Sequence, residues 1–410
     1  MNATSAQLIS LADAARMARP GSRVLIAGGP AEPLSLLDTV ADMPDLWQDL
    51  CLTGAFVPGV NTRDYTALGR NTRVETIFMT AALAGSPASD RVAHLPIHYT
   101  DFWSRIERPG VIDLAYVVVP PPAADGTVGL GLSADFLPAP EAAGADIIGI
   151  VSQAMPDAPG APRLPLSRFR ALANGGSTHL STLPDAGTDT VTDRIAAHIS
   201  TLIPEGGTLQ LGLGRLQTAI LRQLIKDGRQ GLGYHAGMIS PAVLESQGVF
   251  GRGITTGVAL GDAAFYERMR EDRSISFRPV GQTHIISTLA EIPGLVAVNS
   301  ALEVDLSGQV CAEGLGPGKV GGLGGLTDFL RGARASQGGL AVIALSSTAR
   351  QGQQSRIVSS LSPGAIVSAS RSDVDMVVTE HGIADLREAG LATRAERLRA
   401  IASPAFRDAI

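Results

Sequence analysis

From Thr208 the chain alternates, with Leu209, Leu211 and Leu213 on one side, the two-residue period of a strand. Gly212 and Gly214 end the alternation. Leu216, Ala219, Ile220 and Leu224 then recur at helical spacing. Asp227-Gly228 stops the helix, and Gly231 to Met238 predicts a second strand. The stretch from Ile203 to Ser240 thus reads as strand, glycine turn, helix and strand.

The same grammar runs through the rest of the chain. Leu8, Leu11, Ala12 and Ala15 predict an amphipathic helix ending at Pro20-Gly21. Arg23 to Ala27 predicts a strand, followed by Gly28-Gly29-Pro30 and a helix carrying Leu34, Leu37 and Val40. Further strands are expected at Leu50 to Leu52, Val74 to Met79, Leu114 to Val119 and Ile147 to Val151. The last two are continuous apolar runs, as expected where both sheet faces are covered. Residues 156–189 are rich in proline, glycine and small polar residues, and read as a partly ordered connection. Beyond it come a helix at Asp193 to Leu202 and strands at Gly253 to Val258, Leu295 to Asn299, Leu302 to Leu306, Leu340 to Leu345, Ala365 to Ser368 and Met376 to Thr379. A helix over Arg394 to Ala402 closes the chain. Strands alternating with helices predict mostly parallel α/β sheets, here in an N-terminal domain, 1–189, and a C-terminal domain, 190–410. The segment from Gly21 reads like the segment from Gly206, glycine, strand, glycine turn and helix in both. This predicts two related α/β domains facing across a cleft, a usual place for a ligand.

Composition narrows the function. The chain has 410 residues, 45% hydrophobic and 18% charged, enough to bury substantial cores. A net charge of −6 with no basic cluster argues against a nucleic-acid binder. No apolar run approaches the ~20 residues of a membrane span. Cys51 and Cys311 suit a reducing compartment without disulfides, so a cytoplasmic protein is expected. His94 and His98 flank Pro96, which spoils a helical metal pair, and no Cys/His spacing suggests zinc. No metal is expected.

Two glycine-rich stretches offer bare backbone to an anion. One is the turn Gly212, Leu213, Gly214, Arg215 and Leu216, where the unpaired N–H groups and dipole of a helix start favour negative charge. The other is Gly321 to Gly325. Either stretch also reads as a plain turn or surface loop.

The strand end Gly233-Tyr234-His235-Ala236-Gly237-Met238 resembles the active-site strand of the acetyl-CoA hydrolase/CoA-transferase family, in its 4-hydroxybutyrate CoA-transferase branch. The family pattern there is Gly, an apolar residue, His, a small residue, Glu and Met. Gly237 takes the place of the glutamate. Gly322 to Gly325 followed by Asp328-Phe329 and Arg331-Gly332-Ala333 resembles a second family segment, with Leu326 where the family has glutamine. Asn299 to Leu306, Ser347-Thr348, Ser355 to Val358 and Val377 to Ala384 also match. The likeness runs from about Gly21 to the C-terminus and is dense after Gly206. It implies two open, mostly parallel α/β domains of CoA-transferase type, with acyl-CoA as substrate between them. It implies a small acceptor, and a homodimer or an unlike partner subunit. Gly212, Leu213, Gly214, Arg215, Leu216, Gly322, Gly324 and Gly325 are then the candidate CoA contacts.

Gly237 has no side chain and cannot be a nucleophile. Among possible substitutes, Glu245 reads as solvated, Glu303 and Asp305 leave one face of a strand, and Glu380 precedes His381. His235 and Gly237 point the same way in a strand, so His235 is a candidate to activate a water. Three readings stay open: acyl transfer to water or another nucleophile without a glutamyl–CoA intermediate, a CoA-transferase with a relocated carboxylate, and a non-catalytic acyl-CoA binder. The sequence favours the first.

Overall fold

The computed structural model of the chain describes residues 7–176, 179–183, 187–314 and 321–410. Two compact units emerge. The first comprises Met1–Pro184 and Thr256–Gly281, the second Asp185–Thr255 and Gln282–Ile410.

The first unit is built on strands β1 (Gln7–Ile9), β2 (Arg23–Ile26), β3 (Cys51–Gly54), β4 (Arg73–Thr76), β5 (Val92–His94), β6 (Leu114–Val119), β7 (Asp146–Val151) and β8 (Phe169–Asn174). They lie in the order β1-β8-β7-β6-β2-β3-β4-β5, and all neighbours pair in parallel. All six residues of β6 are buried, which explains its uninterrupted apolar run. From β2 the chain steps outward through β3, β4 and β5, then returns beside β2 and steps the other way. The switch therefore lies between β2 and β6. After β2, a Cβ on Gly28 would stand 2.2 Å from the Ala55 carbonyl oxygen, so only glycine lets the chain leave beside β3. Helix α1 (Leu34–Ala41) follows and buries Leu36, Leu37 and Val40. Before it, the buried Glu32 carboxylate accepts from Asn61 Nδ2 at 2.6 Å and the Tyr65 hydroxyl at 2.6 Å.

Two sequence expectations change here. Strand β8 lies inside the stretch read as a connection; Phe169, Ala171, Leu172 and Ala173 are buried in the sheet. Proline and glycine on either side hid a short apolar strand. Of that stretch, residues 177–178 and 184–186 lie outside the described residues. Leu8 sits in β1 and is 67% exposed, while the helix is only Leu11–Ala15. Among the described residues no helix is long and apolar enough to cross a membrane.

The second unit repeats the plan. Its helices include α2 (Thr190–Ser200), α3 (Arg215–Lys226), α4 (Ile286–Ala290) and α5 (Leu326–Ala335). Its main sheet includes β9 (Thr208–Leu211), β10 (Gly233–His235), β11 (Ile254–Thr256), β12 (Leu295–Ser300), β13 (Leu340–Ala344), β14 (Met376–Thr379) and β15 (Gly382–Asp385). They run in the order β11-β10-β9-β12-β13-β14-β15. Pairing is parallel except for the closing β14–β15 hairpin. The switch falls between β9 and β12, so β9 holds in this sheet the place that β2 holds in the first. The two similar sequence segments are these two central strands with their glycine turns.

The expected strand Gly231 to Met238 divides into β10 and a short strand, Met238–Ile239. The break falls at Ala236-Gly237. Ala365 to Ser368 forms no strand; Ala369 makes an isolated bridge to Val310.

Candidate active site

In a parallel sheet the strands all end on one edge, and the turns that follow gather there. β9 ends at Leu211, just before Gly212, and β10 at His235, just before Ala236-Gly237. The predicted residues that the second unit brings together lie on this edge.

Gly214 caps α3 in the positive-φ region at +109°, open to glycine at little cost. A Cβ on Gly212 or Gly214 would meet nothing within 4 Å, so the turn borders open space. Arg215 is exposed and lies 3.6 Å from Asp189. In the first turn of α3, the buried Gln217 donates from Nε2 to the Tyr234 hydroxyl at 2.9 Å and accepts from the Ser240 hydroxyl at 2.9 Å. This side chain ties the Gly212–Leu216 turn to β10 and to the segment just past Gly237.

His235, the last residue of β10, is buried. Its Nε2 lies 2.9 Å from the Thr283 carbonyl oxygen, which assigns the ring proton to Nε2 as donor. Burial lowers the basicity of this imidazole, and the Thr283 carbonyl partly offsets that. Thr283 precedes the residue that fills the site. His284 is 3% exposed, and its Nδ1 lies 2.8 Å from the Thr283 hydroxyl. Its ring leans on Phe329, with centroids 4.6 Å apart at 49°.

The ring edge around Nε2 sits between two glycines. A Cβ on Gly237 would lie 2.9 Å from both Cε1 and Nε2 of His284. A Cβ on Gly325 would lie 2.6 Å from Cδ2 and 2.7 Å from Nε2. Neither position tolerates a side chain while the imidazole is there. Burial pushes the His284 pKa down to about 3, with the neighbouring His235 adding to the shift, so this imidazole is neutral at physiological pH.

Gly325 caps α5, and Gly324 in the preceding turn has φ of +55°. Gly322 lies two residues before this turn. Leu326 and Asp328 in the first turn of α5 are buried. Close packing of α4 on α5 holds the His284 segment against this helix; a Cβ on Gly332 would stand 2.5 Å from the Leu289 side chain.

The acids named from sequence are engaged elsewhere. Glu303 accepts from the N–H and hydroxyl of Ser362 at 2.6 and 2.8 Å. Asp305 accepts from the N–H and hydroxyl of Ser307 and from the N–H and Nε2 of Gln309. Each carboxylate has its own donors, so the two share no proton. Glu380 accepts from the N–H and hydroxyl of Ser347, with His381 Nε2 at 3.7 Å. Glu245 is exposed at the end of the helix Pro241–Glu245.

Sequence reasoning missed His284. It lies 47 residues past Gly237, in the apolar setting Thr283-His284-Ile285-Ile286. One signal pointed towards it: a glycine at 237 brings no side chain of its own, so whatever fills the space must come from elsewhere.

Residues 261–410 match the model of the acetyl-CoA hydrolase/transferase C-terminal domain. The chain is 31% identical over 402 residues to the 4-hydroxybutyrate coenzyme A transferase of Clostridium kluyveri, covering 95% of this chain and 92% of that one. The crystal structure of RipA from Yersinia pestis superposes with a TM-score of 0.89 at 26% identity, covering 98% of this chain and 96% of that chain. The 4-hydroxybutyrate CoA-transferase structure from Porphyromonas gingivalis superposes at 0.81 with 26% identity and the same coverage. With sequence identity sustained over nearly the whole of both chains, this chain belongs to the acetyl-CoA hydrolase/CoA-transferase family, enzymes that act on acyl-CoA thioesters.

Proposed function

We propose that this enzyme transfers the acyl group of an acyl-CoA thioester to water or to another small nucleophile, with no glutamyl–CoA intermediate. The carrying observation is the His284 ring standing where a side chain on residue 237 would be. A nucleophilic carboxylate at 237 is absent, and its space is taken. The engagement of Glu303, Asp305 and Glu380 by serine and glutamine donors supports the same reading. Covalent relay through an enzyme carboxylate needs a free acid. Acyl transfer without it needs polar groups placed at the thioester carbonyl.

In this proposal the Gly212–Leu216 turn and the Gly322–Gly325 turn take the CoA moiety. The helix starts at Arg215 and Leu326 offer N–H groups to anionic oxygen, and Arg215 adds a cation. The acyl group is a small one, of the kind named for the relatives, 4-hydroxybutyryl or acetyl.

The test is free-thiol release from acetyl-, butyryl- and 4-hydroxybutyryl-CoA, with and without a carboxylate acceptor. Release without an acceptor is expected, together with indifference to sodium borohydride during turnover. Acceptor-dependent CoA exchange that borohydride abolishes would overturn the proposal.

A further inference from the structure

We infer that Asp135 and Ser133 form a pocket in the first unit that recognises a hydroxyl group on a short acyl chain, and so select the acid that this enzyme handles. The inference rests on the acyl-transfer reading above and names its substrate class.

The pocket sits at the switch point between β2 and β6, where open α/β sheets hold their ligands. Leu25, Ile26, Val117 and Phe136 give it apolar walls, and Ser133 and Asp135 are its polar side chains. All of these residues belong to the first unit.

Four observations carry the inference. First, the segment that bears the carboxyl is held in place. The Asp135 carbonyl accepts from the Val280 N–H at 2.9 Å, and the Ala134 N–H donates to the Gly257 carbonyl at 2.9 Å. Ser133 makes an isolated bridge to Val258. Second, the carboxyl lacks a countercharge. Among the described residues its one side-chain donor is the Ser133 hydroxyl, at 3.1 Å, and burial raises its pKa to about 6. A carboxyl in apolar surroundings calls for a further hydrogen-bond donor. Third, Asp135 lines the pocket and yet keeps part of its surface exposed, so a ligand can reach it. Fourth, the space takes a group of about one water's size. A second carboxylate is too large for it. A methyl group fits but leaves Asp135 without a donor. An ammonium brings three N–H donors to two polar side chains, one of which already donates to the other. A hydroxyl fits and gives Asp135 the donor it lacks. Sites built to bond a hydroxyl reject the analogue without one.

The test compares kcat/KM for thiol release from 3-hydroxybutyryl-, 4-hydroxybutyryl-, 4-aminobutyryl- and butyryl-CoA, after subtraction of the enzyme-free rate. Native enzyme is expected to favour one of the hydroxylated thioesters over butyryl-CoA by about 10–100-fold, with the aminated one no better than butyryl-CoA. Asp135→Leu should remove that preference, and Asp135→Asn, which keeps polar atoms in place, should retain part of it. Melting of native enzyme with free 3- or 4-hydroxybutyrate or butyrate gives a reading that needs neither turnover nor a variant: the matching hydroxy acid should raise the midpoint further than butyrate does. Equal kcat/KM for hydroxylated and plain thioesters, a preference for the aminated one, or a preference that survives Asp135→Leu overturns the pocket and leaves the acyl-transfer reading standing. Thiol release from none of the four overturns that reading, and equal melting shifts then overturn the pocket as well.

Discussion

The α-carbon of Gly237 and the imidazole of His284 hold complementary halves of one small volume. A Cβ on the glycine would lie 2.9 Å from the ring, closer than packed carbon atoms approach. The two residues come from different elements of the same unit, and a change at either is felt at the other.

Gly237→Glu alone is therefore expected to be destabilising, by about 1–3 kcal/mol as an overpacked site, and to gain no transferase activity. The ring has Gly325 on its other side and little room to retreat. Gly237→Glu combined with His284→Ala opens the space. The double variant is expected to exchange CoA between carboxylates and to become borohydride-sensitive. Acceptor-dependent exchange, measured with acetate and butyryl-CoA, decides between the two outcomes.

His235→Ala removes the donor to the Thr283 carbonyl. A buried acceptor left without that partner costs about 1–3 kcal/mol, readable in a urea titration. Its effect on turnover should appear in kcat while KM changes little, and His235→Gln should recover part of the loss. Equal losses in Gln and Ala variants would show that the hydrogen bond is not what matters.

Acid should loosen the second unit. The ordinary imidazole value is 6.5, and His284 is held down to about 3 when folded. Below 6.5 the unfolded chain takes up a proton that the folded chain refuses, so stability is full above that pH and falls as pH drops from about 6.5 towards 3. His235, also lowered, works in the same direction. Asp135 in the first unit opposes them: burial raises it from 3.8 to about 6, so its contribution is present at low pH and is lost as pH rises through that window. Comparing native enzyme with His284→Gln cancels the Asp135 effect. The denaturation midpoint of the variant should fall less between pH 7 and pH 4.5, and parallel curves would refute the assignment.

Gln217→Leu cuts the link between the Gly212–Leu216 turn and β10. It leaves the buried Tyr234 hydroxyl and Ser240 hydroxyl without their shared partner, at a cost of about 1–3 kcal/mol. KM for acyl-CoA should rise more than kcat falls, since the turn rather than the reacting centre is loosened. Steady-state kinetics with acetyl-CoA give both numbers.

Much of this architecture is legible in the sequence, and particular residues say why. Leu114–Val119 is an unbroken apolar run, and it and Met376–Thr379 have in the sequence the bounds that the fold gives them. Burial on both faces makes such strands announce themselves. Phe169–Asn174 did not, because Arg170 interrupts a six-residue strand framed by proline and glycine. Ala365 to Ser368 was read as a strand, yet small residues without a paired neighbour in the sheet make none. In the site, the strand-end position of Gly237 was readable and its emptiness was plain. What filled that emptiness was not, since no periodicity relates Gly237 to a histidine 47 residues on. Contacts of that kind are fixed by topology, here by the return of the chain through α4 and α5.

Residues 256–281 complete the first unit, although the chain reaches them only after laying down β9 and β10. A polypeptide leaving the ribosome therefore carries its first unit unfinished while the opening strands of the second are already emerging. No single proteolytic cut releases both units whole, and the two are expected to mature as one cotranslational event rather than in succession.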